Sequence, residues 1–257
     1  MIVRTHAIPL TFTPVTESSR AVTWMTEDHG RLVTLIKGSQ RPKSLFLGQY
    51  DLFYTCELLF YNRDRDGWLI ARECNTLSAR DRFRTDWRAC LAASYLCDLV
   101  RTCVPHRTPA PELFQLLHRA LEDLNTRGAD LIHLLWFELA LLQKLGLTPQ
   151  FTACIECGTS MINQPGAHWV GARGGMVCRS CHQRSQEHGI PLPPDVVAAL
   201  SHWQRATLPP PVSKIRMEET RQQTAAKALG IFLRMHLDSP LVSRRIAMRA
   251  LLYRKKA

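Results

Sequence analysis

The sequence predicts an α+β protein: a small five-stranded β-barrel followed by an α-helical region with a cysteine-rich insert. Three observations carry this expectation. Up to about residue 76 short β-branched and aromatic runs alternate with turn residues. From residue 78 the apolar spacing becomes helical, and two Cys-x2-Cys pairs then interrupt the helices.

The candidate strands are 2–8, 20–26, 31–37, 51–61 and 68–74, with turn signals at His29-Gly30 and Asp66-Gly67. Five strands in fewer than 80 residues suit a barrel of the OB or SH3 kind. Phe83, Trp87, Leu91 and Ser94 or Tyr95 then recur at helical spacing behind Ser78 as a cap, ending near Pro105. A second helix starts with Pro111 in its first turn and places Leu113, Leu116, Leu117, Ala120, Leu121 and Leu124 on one face. A third covers 130–145 and stops at Gly146 and Pro149. Further helices are expected at 195–205, 218–237 and 243–254, with Pro209, Pro210 and Pro211 as a stiff connector.

The chain has 257 residues, 46% hydrophobic and 21% charged, which excludes a disordered or fibrous protein. MIVRTHAIPL lacks the apolar core of a secretory signal, and the longest apolar run, 134–142, is shorter than the roughly 20 residues a bilayer needs. A cytoplasmic location without membrane contact is therefore expected. Nine cysteines, an odd number, then point to metal ligation and burial rather than disulfides.

The strongest chemical signal is Cys154-x2-Cys157, 20 residues, and Cys178-x2-Cys181. Four thiolates at this spacing can close a tetrahedral shell on zinc, the alternatives being a vestigial finger or redox cysteines, and a closed shell leaves no open position for water, so the expected Zn2+ is structural. Gly158, Gly174 and Gly175 supply turns around the pairs, and His168, His182 and His188 are spare ligands that four cysteines make unnecessary. Cys56, Cys74, Cys90, Cys97 and Cys103 fall on apolar strand or helix positions and read as buried small hydrophobes.

Lys and Arg number 33 against 22 Asp and Glu, a formal charge of +11 that argues for an acidic partner, nucleic acid above all. The excess is uneven. Residues 191–257 hold 12 basic and 4 acidic groups, whereas 81–150 hold 8 of each. Arg31, Lys37, Arg41 and Lys43 cluster where no acid lies between Asp28 and Asp51, on a strand and a Gly- and Pro-containing loop that offer phosphate contacts or an ordinary solvated loop. Phe46, Tyr50, Phe53 and Tyr54 are aromatics available for base stacking or core. Arg244, Arg245, Arg249, Arg254, Lys255 and Lys256 follow the last acid, with Arg245 and Arg249 sharing a helix face as a second phosphate track or a dipole-favouring helix end. No P-loop, HExxH, GxSxG or GxGxxG motif is present, so ATP hydrolysis and the common hydrolase classes have no support and no enzyme is expected. The competing function is a protein-interaction adaptor whose basic tail binds acidic partners, with little DNA affinity of its own.

Local wording adds to this. Glu17-Ser18-Ser19, Gly30, Lys37-Gly38, Lys43-Ser44, Leu113-Phe114 and Phe137-Glu138-Leu139 through Leu145-Gly146 occur in order, followed by Pro149, the two cysteine pairs with Gly158, Leu241 and Ser243-Arg244. Over nearly its whole length the chain resembles RecO, the bacterial recombination mediator family. The resemblance implies an N-terminal five-stranded OB-fold over 1–79 and an α-helical domain over 80–257 carrying a four-cysteine zinc finger at 150–187. It implies binding of single- and double-stranded DNA and annealing of complementary strands. It also implies work with RecR to replace the single-stranded-DNA-binding protein by RecA in a bacterial, nucleoid-associated setting, without nucleotide hydrolysis. Carried over, Arg31, Lys37, Arg41 and Lys43 become the DNA-contacting set. The chain departs from the family at Leu47-Gly48-Gln49-Tyr50-Asp51, where relatives often read Leu-Gln-Pro-Phe. It departs again at Leu135-Trp136, where relatives commonly carry arginine, the basic contact for the acidic tail of the single-stranded-DNA-binding protein.

Overall fold

A computed structural model describes residues 1–65, 68–185, 187–209, 217–237 and 241–252. The Asp66-Gly67 turn, Pro210 and Pro211, and the tail cations Arg254, Lys255 and Lys256 lie outside the described residues. The chain divides into two compact units, Met1–Gly128 and Ala129–Ala257.

In the first unit β1 (Ile2–Pro14), β2 (Arg20–Thr26), β3 (Gly30–Ile36), β4 (Thr55–Arg65) and β5 (Trp68–Ser78) close a barrel in the order β1-β2-β3-β5-β4. β1 pairs antiparallel with both β2 and β4, and β3 meets β5 in parallel, a topology that fits an OB-fold. Strict alternation along β3 sends Leu32, Thr34 and Ile36 inward to join Val22, Trp24, Leu58 and Phe60. The indole and hydroxyl of that interior satisfy each other, because Trp24 Nε1 donates to Thr34 Oγ1 at 2.9 Å.

Two strands differ from expectation. β1 runs to Pro14 because a bulge near Leu10 lets it bend and serve two neighbours. β4 begins only at Thr55, since Phe53 adopts a φ of 68° that a strand cannot contain. β5 also consumes Ser78, so the expected cap is not one. The following helix splits into α1 (Arg82–Thr85) and α2 (Trp87–Cys103), and Asp86 caps α2 by accepting from the Arg88 and Ala89 N–H groups. α3 (Pro111–Arg127) follows the expected apolar face closely.

Arg80, wholly buried and at a φ of 53°, ties the barrel to α3. Its guanidinium donates to Phe53 O, to Thr55 Oγ1 at 2.7 Å and to His118 Nδ1 at 3.1 Å, and pairs with Glu122 at 3.0 Å. Desolvation lowers the Arg80 pKa, and burial followed by the Arg80 charge lowers that of His118.

The second unit is built on α4 (Leu131–Lys144), apolar on nearly every side and therefore buried against α6 (Pro194–Arg205), α7 (Glu219–His236) and α8 (Val242–Leu252). Asp130 caps α4 through the Ile132 N–H at 2.8 Å. Between α4 and α6 lies a four-stranded sheet in the order β6-β8-β7-β9, which the sequence reading lacks because its strands are two to five residues long. These are β6 (Gln150–Cys154), β7 (His168–Val170), β8 (Gly175–Val177) and β9 (Ile190–Pro191), with α5 (Arg179–Ser185) after β8. Phe151 stacks on Trp169 at 5.1 Å, and Trp169 Nε1 donates to Ala228 O of α7, fixing the sheet to the helices. No helix of the described residues is long and apolar enough to cross a membrane.

Candidate functional site

The two cysteine knuckles meet because β6 and β8 pair side by side. Cys154 ends β6, and the turn after it is closed by the Gly158 N–H donating to Cys154 O at 2.9 Å, with Gly158 at a φ of 74°. Cys178 follows β8 and Cys181 lies in α5. All four Sγ atoms fall within 4.8 Å of one another, close enough to hold a metal ion. Cys154 and Cys181 are buried, Cys178 half-buried and Cys157 exposed. His168 and His182 stack on each other at 3.7 Å instead of joining the cluster.

Each sulfur also has polar neighbours outside the cluster of thiols. The Cys178 N–H donates to Cys154 Sγ at 3.3 Å, and Arg184 Nη2 donates to Cys181 Sγ at 3.0 Å. The Thr159 and Ser180 hydroxyls each lie 3.2 Å from a sulfur, Cys157 and Cys178 respectively. The Thr159 bond lowers the Cys157 thiol, and the Ser180 bond brings Cys178 down to about 6. Hydrogen bonding with Cys178 pushes Cys181 up to about 12. The sequence carries a signal for the two hydroxyls, each two residues past a cysteine. Arg184 is found only by the turn of α5.

Among the other five cysteines, Cys56, Cys74 and Cys97 are buried and Cys90 and Cys103 half-buried. Burial pushes Cys97 up to about 12 and Cys103 to about 11, so both stay protonated thiols.

The basic loop leaves β3 at Ile36 and turns at Gly38, whose φ is 64°. It is pinned from the side: the Gly38 N–H donates to Ser19 Oγ at 3.1 Å and the Gln40 N–H to Ser18 O at 3.0 Å. Lys37, Arg41 and Lys43 are exposed, and none forms an ion pair among the described residues. Arg31 differs from them. It is half-buried, its Nε donates to Val104 O at 2.9 Å, and its own carbonyl accepts the Arg107 N–H at 2.7 Å. The neighbouring Gly30 is obligatory, because a Cβ there would meet Thr108 O at 1.8 Å. Of the four aromatics, Phe53 and Tyr54 are buried, while Phe46 and Tyr50 pack on the barrel core and on each other at 6.4 Å.

On α8, Arg245 and Arg249 are exposed one turn apart, but Arg244 turns inward. Its Nε and Nη2 bind both oxygens of the wholly buried Glu138 at 2.7 and 3.0 Å, and Nη2 also donates to Ala226 O. Gly230 of α7 makes the room, since a Cβ there would meet Arg244 Nη1 at 2.6 Å. Of the finger cations, Arg173 pairs with Glu156 and Glu187, and Arg179 is exposed.

Two family models match the chain, Recombination protein O N terminal over residues 1–79 and Recombination protein O C terminal over 84–245. The chain belongs to the RecO family. A relative called DNA repair protein RecO from Myxococcus xanthus is 30% identical over 230 residues, 88% of this chain and 89% of that one. Proteins of the same name from Geobacter sulfurreducens and Syntrophus aciditrophicus are 30% identical over 200 residues and 27% over 194, covering 77% and 76% of this chain and 79% and 73% of theirs.

Several RecO words are packing elements in this structure. Phe137-Glu138-Leu139 and Ser243-Arg244 are the two halves of one buried ion pair. Ser18-Ser19 is the pin of the basic loop. Leu135 and Trp136 are both buried, and Trp136 Nε1 donates to Ala206 O at 2.9 Å.

Proposed function

We propose that this RecO chain is a DNA-binding, strand-annealing mediator in DNA repair. With RecR it would help load RecA onto single-stranded DNA held by the single-stranded-DNA-binding protein, in the bacterial cytoplasm at the nucleoid. The observation that carries the proposal is the set of exposed, unpaired cations Lys37, Arg41 and Lys43 on a pinned loop of a barrel that fits an OB-fold. Relatives named DNA repair protein RecO along most of the chain supply the process.

Complementary strands repel through their phosphates. A row of ammonium and guanidinium groups neutralises that charge without choosing a sequence, so pairing proceeds with a lower electrostatic barrier and no catalytic step. Residues 1–79 are assigned to DNA binding and 150–187 to the finger, and the helical domain proposed for 80–257 spans the boundary between the two compact units at Gly128. Arg245 and Arg249 form a second phosphate track, Arg244 braces the helix that carries it, and Arg31 holds the base of the loop strand.

Zinc is assigned to the four cysteines on donor chemistry and spacing. A tetrahedral ion with Zn–S bonds of about 2.3 Å sets its sulfurs about 3.8 Å apart. Cys157 and Cys178 stand at 3.8 Å. Bound there, zinc supplies a structural cross-link between the knuckles and no reaction.

The test is annealing of complementary strands coated with the cognate single-stranded-DNA-binding protein. The expected result is acceleration without ATP that falls steeply as salt rises. Oligonucleotide affinity unchanged between about 50 and 500 mM salt contradicts the electrostatic mechanism. Annealing that never exceeds the protein-free rate favours the adaptor function instead.

A further inference from the structure

A cleft of about 460 Å³ opens within the first unit between the barrel wall and α2. One wall follows from strand register. Pro9 pairs with Trp24 and Thr11 with Thr23, so Leu10 is a bulge that reverses the alternation of β1. Ala7 and Pro9 are buried before the bulge, and after it Phe12 packs on the core while Thr11 and Thr13 turn outward. Thr23 lies opposite Val33, which places Arg31, two residues earlier on β3, on that same outer face. The other wall is a single stripe of α2, Ser94, Asp98 and Arg101, at spacings of four and three.

The charges of the helix stripe are mutually engaged: Arg101 grips Asp98 at 2.6 and 3.2 Å, and Ser94 donates to Cys90 O at 2.8 Å. The strand wall is different. The hydroxyls of Thr11, Thr13 and Thr23 have no protein partner among the described residues, and Arg31 has no ion pair there while Val104 O fixes its Nε. A held guanidinium with its terminal nitrogens uncommitted to a carboxylate, beside three idle hydroxyl donors, is the donor set of an oxyanion site. The volume lies within the roughly 300–1,000 Å³ of small-ligand pockets.

We propose that this cleft binds a phosphate group of nucleic acid, held by the Arg31 guanidinium and the Thr11 and Thr23 hydroxyls. The proposal rests on the DNA-binding function above and adds a discrete phosphate position to the diffuse contacts of the basic loop. The phosphate belongs to a strand end or to the backbone, and the test separates the two.

Thr11→Val with Thr23→Val removes the donors while keeping β-branched side chains on their strands, so the barrel stays folded. Arg31→Lys keeps the charge and loses the fork. Anisotropy is read with a thymidine oligonucleotide of about eight nucleotides carrying either a 5′-phosphate or a 5′-hydroxyl. The double variant is expected to bind roughly five- to tenfold more weakly, the net worth of about one to two ordinary hydrogen bonds. A loss confined to the phosphorylated strand assigns a strand end, and an equal loss for both assigns the backbone. Affinity unchanged for both strands in both variants overturns the proposal. Inorganic phosphate tests the cleft apart from DNA: it should raise the melting temperature of the wild type and leave the threonine variant unmoved. If phosphate stabilises the wild type while neither oligonucleotide binds, the DNA-binding function fails and the oxyanion site stands. An equal phosphate shift in wild type and variant removes the site.

Discussion

The two basic regions of this chain look alike as residue counts and are built in opposite ways. On the β3–β4 loop, Lys37, Arg41 and Lys43 stay in solvent without an acidic partner among the described residues, and backbone and serine bonds shape the loop beneath them. On α8 the first cation, Arg244, is drawn into the helical unit by Glu138, and Arg245 and Arg249 are the exposed cations of this helix among the described residues. Arg184 is likewise occupied, by the Cys181 sulfur. Positive charge on a sequence therefore has two fates. What separates them is whether a buried acid or thiolate waits within reach.

The largest expected effect tests the occupied side. Stripping the zinc proposed for the four cysteines with a chelator should abolish hydrogen-exchange protection across 150–187, since structural zinc sites carry about 10–16 kcal/mol of apparent binding free energy, and should leave loop-dependent oligonucleotide affinity in place. Protection that survives chelation would mean that the knuckles fold without metal. Next, Glu138→Ala should lower unfolding stability by about 3–5 kcal/mol because it strands a buried guanidinium. The loop triple Lys37→Ala, Arg41→Ala, Lys43→Ala should change stability by less than about 0.5 kcal/mol. Urea melts of the two variants decide this, and comparable losses would erase the distinction between the regions.

A smaller effect is expected at Arg184. Arg184→Leu should weaken metal affinity by about 10- to 100-fold in competition with a chromophoric chelator, as other outer-shell losses do, with the cysteines intact. The smallest concerns the packed cation of the barrel unit. The folded pKa of His118 is depressed below its ordinary value of about 6.5, so the unfolded chain takes up the proton first. The stability contribution is present above that value and is lost as pH falls through the folded pKa. His118→Gln should flatten this stretch of the stability–pH curve in urea melts, and an identical curve would show that burial and the Arg80 charge leave the imidazole unperturbed.

Much of this was legible in the residues, for identifiable reasons. The barrel strands and the α3 face follow local periodicity, and the cysteine pairs state their own chemistry through spacing. Where tertiary packing overrides local pattern, the sequence misleads: Ser78 resembles a cap but completes β5, and 51–54 resembles strand but turns at Phe53. The short sheet around the cysteines has too few residues per strand to show a period. The fate of Arg244 is invisible in its neighbourhood because its partner lies 106 residues away, and only the pairing of the Phe-Glu-Leu and Ser-Arg words hints at it.

The most direct test of the central claim, that the β3–β4 loop binds phosphates as free surface charge, is the salt dependence of single-strand affinity in the wild type and the loop triple variant. Plotted as log affinity against log salt, the slope should become shallower by about 2 in the variant, three lost contacts at about 0.7 each. Affinity at low salt should fall while the melting temperature holds. Superimposable slopes and affinities for the two proteins would contradict it.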